Sequence, residues 1–220
     1  MNRIVLFGAG AFAEIAHYYF THDSNFRVAG FVVDAKYLVE RTFKGLPVVA
    51  LDEAEEAFPA SDFGMFVALG IRGVNRVRAE KMTEVTSRGY RLVSFLSSKA
   101  DVGADLELRP NTMIMERAGI QPFVQIGKGV IVWSASRVGF RSRIDDHCWV
   151  TSPILGESVV LGERTFVGLN ATIAPFVSVG KSNVIGAGAL ILHHTKDDEV
   201  YPGGASVPSR VPSHRLKNFR

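Results

Sequence analysis

The chain has 220 residues, 47% of them hydrophobic and 21% charged, with 25 basic side chains against 22 acidic ones and a formal net charge of +3. This balance fits a folded chain of one large or two small domains and excludes disorder, collagen and coiled coil. The single cysteine, Cys148, leaves no internal disulfide and no thiolate metal cluster. No apolar run reaches the roughly 18 to 20 residues of a spanning helix, and MNRIVLFGAGAFAE lacks the layout of a signal peptide. A cytoplasmic protein is expected, with no metal, no nucleic-acid partner and no stable membrane insertion. Arg210, Arg215, Lys217 and Arg220 form a basic tail, read as a solvated tail or as a contact for an anionic cofactor or membrane surface.

In chain order, RIVLF at residues 3–7 is a short apolar run closed by Gly8 and Gly10, and AFAEIAHYYF at 11–20 reads as a helix. The runs VAGFVVD, ending at Asp34, and GMFVALG, ending at Gly70, are further strands. The charged stretch VNRVRAEKMTEVTSRG has helical character, and YRLVSFL closes this half as a strand. Strands alternating with helices predict a small parallel, Rossmann-like α/β sheet over residues 1–98.

Beyond residue 100 a different period takes over. Val, Ile or Leu recurs every six residues at Val102, Leu108, Ile114, Ile120, Ile126, Val132, Val138, Ile144 and Val150. After one step of five the series resumes at Leu155 and runs through Leu161, Val167, Ile173, Val179, Ile185 and Ile191. A small or β-branched residue usually stands two places earlier, as at Thr112, Ala118, Ser136, Ser142 and Cys148. Glycine often follows, as at Gly127, Gly139, Gly162 and Gly186, where a corner or a close backbone approach suits it. One large and one small inward residue per hexapeptide describes one side of a triangular solenoid that is stabilised by stacking coil on coil. The expectation is a left-handed parallel β-helix over residues 99–196, followed by a capping segment and tail over 197–220.

The turn Gly8-Ala9-Gly10-Ala11-Phe12-Ala13 joins a strand to a helix, so its backbone N–H groups and the helix N-terminus are able to face an anion or a ribose. Asp34 supplies the acid that a dinucleotide site asks for at the end of the second strand. This half is nevertheless only about 95 residues long, too short for two mononucleotide units.

With GAGAFAEI, VALG, VWSASRVGFRSRIDDHCWV, FVGLNATI, VIGAGALI and VYPGGASVPSR, nearly the whole chain resembles the two-domain hexapeptide-repeat acyltransferases of nucleotide sugars. These are similar to the N-acetyltransferases of UDP-4-amino sugars and to sialic acid O-acetyltransferase-like proteins. The resemblance implies a homotrimer, a nucleotide sugar held by the first domain, and acetyl-CoA as acyl donor lying between neighbouring β-helices. It implies an acyl-CoA-dependent N-acyltransferase serving surface glycan synthesis. The alternative is a catalytically silent homologue that binds a nucleotide sugar or a partner enzyme. Matching positions for the nucleotide sugar are Gly10, Ala11, Phe12, Asp34 and Gly70; an NAD site and a turn made only for packing stay open beside this reading. For acyl-CoA the matching positions are Trp149, Leu169, Gly186, Ala187 and Gly188.

The family's catalytic histidine and its partner fall on Phe140 and Arg141, with further departures at Arg137 and Pro153. Among the histidines present, His17, His22, His193, His194 and His214 lie on the first helix, just past it, after the last coil or in the tail. His147, beside Asp145 and Asp146, is the best candidate base, with a corner residue as the other reading. Cys148 falls in a small inward slot and is expected to be inert.

Overall fold

The computed structural model describes residues 2–215; Lys217 and Arg220 of the basic tail lie outside the described residues. The first half comprises β1 (Arg3–Phe7), α1 (Ala11–His22), β2 (Arg27–Val33), a hairpin of β3 (Thr42–Phe43) and β4 (Leu46–Ala50), a short α2 (Ala54–Ala57), β5 (Gly64–Val67), α3 (Arg76–Ser87) and β6 (Arg91–Leu92). The strands line up in the order β3-β4-β2-β1-β5-β6, all parallel except the hairpin. Ile4 to Phe7 and Gly64 to Val67 are buried without interruption because helices cover both faces of the sheet. On α1 the buried stripe is Ala13, Ala16 and Phe20, and on α3 it is Arg78, Met82 and Val85, so an arginine occupies a core position.

The second half is a left-handed parallel β-helix of two-residue strands. Its first face stacks Phe95–Leu96, Met113–Ile114, Ile131–Val132, Trp149–Val150, Phe166–Val167, Val184–Ile185 and Val200–Tyr201. The second face stacks Asp101–Val102 through Leu190–Ile191, and the third, with four strands, stacks Gln125–Ile126, Arg143–Ile144, Val160–Leu161 and Ser178–Val179. The residues of the six-step series fill the interior from Ile114 to Ile191, together with the small residues Ala118, Cys148 and Ala171. Leu108 is a correction: it is 39% exposed in the segment that replaces a third-face strand in the top coil, and Leu106 packs inward instead. The stretch YRLVSFL also divides, since β6 completes the α/β sheet whereas Phe95–Leu96 pairs with Met113–Ile114 in the solenoid.

Left-handed backbone recurs at each corner with the same period: Asn111, Arg117, Phe123, Gly129, Ala135, Arg141 and His147, then, after the five-residue step, Ser152, Ser158, Arg164, Asn170, Phe176, Ser182 and Gly188. Most of these are not glycine. The glycines that follow the inward residues answer a different demand, because a Cβ on Gly139 would lie 2.5 Å from the Gly156 carbonyl and one on Gly186 would lie 2.3 Å from the Pro202 oxygen. Close stacking of coils, rather than a positive φ, selects them.

The two halves are joined by buried polar groups at the corner between the third and first faces. The Asn111 amide serves as a strand partner for β5, accepting from Val67 N at 2.6 Å and donating to Val67 O at 3.2 Å. Asn75 donates to Arg164 O at 3.0 Å. The Arg78 guanidinium, wholly buried, donates to Asn75 Oδ1 at 3.0 Å, Gly129 O at 3.1 Å and His147 O at 2.8 Å. One helix thereby grips three successive coils.

Candidate functional site

Strand order reverses at β1, whose neighbours β2 and β5 lead away in opposite directions, and such a switch point opens a crevice at the carboxyl ends of the strands. A cavity of about 400 Å³ lies there, bordered by the Gly8–Gly10 turn, Asp34, Leu69, Gly70, Arg72 and Val77 among others. Gly8 is required by the backbone, with φ of +123° and a would-be Cβ 2.8 Å from Ala68 O. Gly10 and Gly70 are different. Gly10 has φ of −101°, open to any residue, and a Cβ at either position meets nothing within 4 Å. A Cβ added there would fill only empty space at the cavity.

Asp34 receives a hydrogen bond from Lys81 Nζ at 2.6 Å, and Lys81 also pairs with Glu84. Across the mouth, Arg72 donates to the Tyr37 hydroxyl at 3.2 Å, which holds that phenol below its ordinary range. Tyr37, Leu69 and Arg72 were not singled out from the sequence. The signal for Arg72 was its place two residues after the strand that ends in VALG. Of the five matched positions, Gly10, Asp34 and Gly70 border the cavity. Ala11 is exposed at the start of α1, and the Phe12 ring turns away, 4.7 Å from the ring of Trp149 and 6.3 Å from Phe66.

The acyl-CoA positions also divide. Leu169, Ala187 and Gly188 are exposed together at the corner between the first and second faces, where Gly188 N donates to Leu169 O at 2.8 Å. Gly186 lies one step inward under the Tyr201–Gly203 segment, whose close approach accounts for its lack of a side chain. Trp149 is enclosed in the seam between the halves, against Phe12 and Trp133 and beneath the Arg78 guanidinium at 5.2 Å. It does not line that corner. The exposed strip at Leu169, Ala187 and Gly188 suits the amide-bearing arm of CoA, since small residues leave the backbone within reach of such a chain.

His147 is a corner residue with left-handed backbone, the second of its two expected readings. Its side chain is enclosed at the corner facing α3, with Nδ1 buried and unpartnered beside Gly129, and Met82 of α3 touches the same glycine. Burial, reinforced by the Arg78 charge, pushes the imidazole down to about 4. An enclosed imidazole of this kind stays neutral and does not reach a ligand on the outer surface. Phe140 stands at the neighbouring corner, between the second and third faces, half exposed with Arg141 5.7 Å over its ring. Cys148 is buried in the core with its thiol pushed up by burial. No helix among the described residues is long and apolar enough to cross a membrane.

The fold and its crevice place the chain beside the two-domain hexapeptide-repeat acyltransferases of nucleotide sugars, whose architecture it shares. It is similar to a histidine-to-asparagine variant of perosamine N-acetyltransferase from Caulobacter crescentus, solved with CoA and GDP-perosamine: 25% identity, TM-score 0.80, 91% of this chain and 93% of that one. It also has the fold of the acetyltransferase domain of PglB from Neisseria gonorrhoeae, at 20% identity and a TM-score of 0.76 over 88% and 93% of the two chains. Among curated proteins, the bifunctional protein GlmU of Zymomonas mobilis is 27% identical over 118 residues, 48% of this chain and 26% of GlmU. That of Syntrophomonas wolfei is 26% identical over 129 residues, 50% and 27% of the two. The chain thus spans about a quarter of the length of these curated relatives. No protein-family model matches it.

Proposed function

We propose that the protein is an acyl-CoA-dependent N-acyltransferase, with acetyl-CoA as donor and a nucleotide-linked amino sugar as acceptor, working on the route to a surface glycan. The observation that carries this reading is the cavity at β1, where Gly10 and Gly70 are demanded neither by backbone nor by packing and leave room for a ligand against the turn. The likeness to an N-acetyltransferase solved with CoA and a GDP-linked sugar supports it. In the reaction the amine nitrogen bonds to the acyl carbon, the C–S bond breaks, and the proton shed by nitrogen neutralises the departing thiolate. With Phe140 at the family's base position, we assign no side-chain base. A sugar amine with a pKa near the roughly 8 of an α-amino group is partly free at neutral pH, so orientation supplies much of the rate. A hydroxyl needs a base worth roughly 100- to 10,000-fold, so transfer is to nitrogen rather than oxygen.

Homotrimer formation belongs to the same proposal. Ile154 and Leu190 on the second face and Phe123 and Phe176 on its edge are exposed apolar groups suited to neighbouring copies. The second reading, a silent homologue that only binds a nucleotide sugar or a partner enzyme, draws on the same Phe140 and Arg141. Calorimetric titration separates the two. Binding of both acetyl-CoA and a nucleotide sugar is expected, and failure to bind acetyl-CoA ends the transferase reading. Phe140→His with Arg141→Glu is expected to raise the rate. Efficient O-acetylation by the unmodified protein would overturn the missing-base mechanism.

A further inference from the structure

We propose that the cavity at β1 selects a guanine nucleotide and that Asp34 is the residue that selects it; the inference rests on the nucleotide-sugar reading above. Asp34 is the only carboxylate, and Arg72 the only cation, among the residues lining this cavity. Lys81 sits behind Asp34 with its side chain only 11% exposed, its ammonium 2.6 Å from Oδ1 and 4.8 Å from the centre of the Phe7 ring. This contact fixes the carboxylate in place, and a carboxylate offers a ligand acceptors only.

The bases differ in what they offer a pair of acceptor oxygens. Guanine presents N1–H and the 2-amino group side by side, two donors for two oxygens. Uracil and thymine present one N–H between two carbonyls, so that the second carboxylate oxygen faces another acceptor. Adenine sets its amino group beside an acceptor nitrogen, and cytosine does the same. A site built to accept hydrogen bonds rejects a ring that leaves an oxygen unpaired or opposed. The apolar walls Phe7, Leu69 and Val77 suit the faces of a purine, and Arg72 with the amides of the glycine turn suits the phosphates.

The test is calorimetric titration of the full chain with GDP, UDP, dTDP and ADP, and of Asp34→Asn with GDP and xanthosine diphosphate. GDP is expected to bind about ten- to a hundredfold more tightly than UDP or dTDP, the range expected for a hydrogen bond to a charged group. Asp34→Asn replaces one acceptor by a donor. It should lose GDP affinity by a similar factor and gain affinity for xanthosine diphosphate, which carries a carbonyl in place of the 2-amino group. Mere disruption of the Lys81 contact would weaken both ligands and does not produce that exchange. UDP binding as tightly as GDP, or an unchanged ratio of GDP to xanthosine diphosphate in the variant, would overturn the guanine assignment and leave the nucleotide cavity standing. Failure of all four nucleotides to bind the unmodified chain would overturn the cavity reading and this inference with it.

Discussion

Arg141 and His147 occupy equivalent positions of consecutive hexapeptides, both with left-handed backbone, φ 56° and 63°, on the two edges that flank the third face. Their surroundings are opposite. The edge with Arg141 is open, and Phe123, Phe140 and Phe176 show between 37% and 64% of their surface along it. The edge with His147 lies beneath α3, where Asn75 and Arg78 tie the carbonyls of Gly129, His147 and Arg164 to the first domain. A repeat specifies which residue turns inward at each step. It does not specify which edge a second domain will cover, and that covering decides whether a corner side chain meets solvent or a buried interface.

The largest expected effect comes from breaking the covered edge. Arg78→Met keeps the apolar length of the side chain but leaves the carbonyls of Gly129 and His147 without their donor in a buried seam. Loss of roughly 2 to 5 kcal/mol is expected in urea unfolding. Amide exchange should rise in α3 and β5 while the lower coils around Ile173 and Ile185 stay protected. Uniform loss of protection through every coil would show that the seam is not a separate joint.

A smaller effect sharpens the contrast between glycines kept by the fold and glycines kept for the cavity. Gly8→Ala forces a Cβ onto Ala68 O at a φ of +123° and should destabilise by roughly 1 to 3 kcal/mol. In Gly10→Val the added Cβ meets no atom within 4 Å, and the variant should unfold at the same urea concentration as the unmodified protein while binding nucleotide more weakly. Equal nucleotide affinity in Gly10→Val would make that turn a packing feature only.

Much of this architecture is legible in the sequence because it is periodic. The six-residue series predicts the inward residues from Ile114 to Ile191, and its one five-residue step appears as the shortened corner at Ser152. The series overreaches at Leu108, where the top coil lacks a third-face strand and nothing below the residue period reports it. Gly10, Asp34 and Gly70 were found at the cavity because strand ends and glycine turns are local features. The surroundings of Phe12, Trp149 and His147 are not legible in the sequence for a common reason: they depend on how one half lies on the other, a contact between residues far apart in sequence. One signal was present. Arg78 stands four residues before Met82 and seven before Val85, on the buried stripe of α3, and a cation on such a stripe calls for buried acceptors.

The smallest expected effect is a slope in pH that belongs to the covered edge alone. Burial lowers the His147 pKa from an ordinary 6.5 to about 4. Between these values the unfolded chain binds a proton that the folded chain refuses, so stability rises with pH across this window; the contribution is complete above about 6.5 and is lost as pH falls toward 4. Protonation would also set a second positive charge beside Arg78, which donates to the carbonyl of the same residue. His147→Asn removes the titration and suits the backbone, since asparagine tolerates the left-handed region better than most residues. Its urea midpoint should change less between pH 7 and pH 4.5 than that of the unmodified protein, with the difference confined to acid conditions. The corresponding change on the open edge, Arg141→Asn, should leave the slope as it was. If His147→Asn reproduces the slope of the unmodified protein, the imidazole titrates normally, and the enclosure of this corner by α3 is looser than its contacts imply.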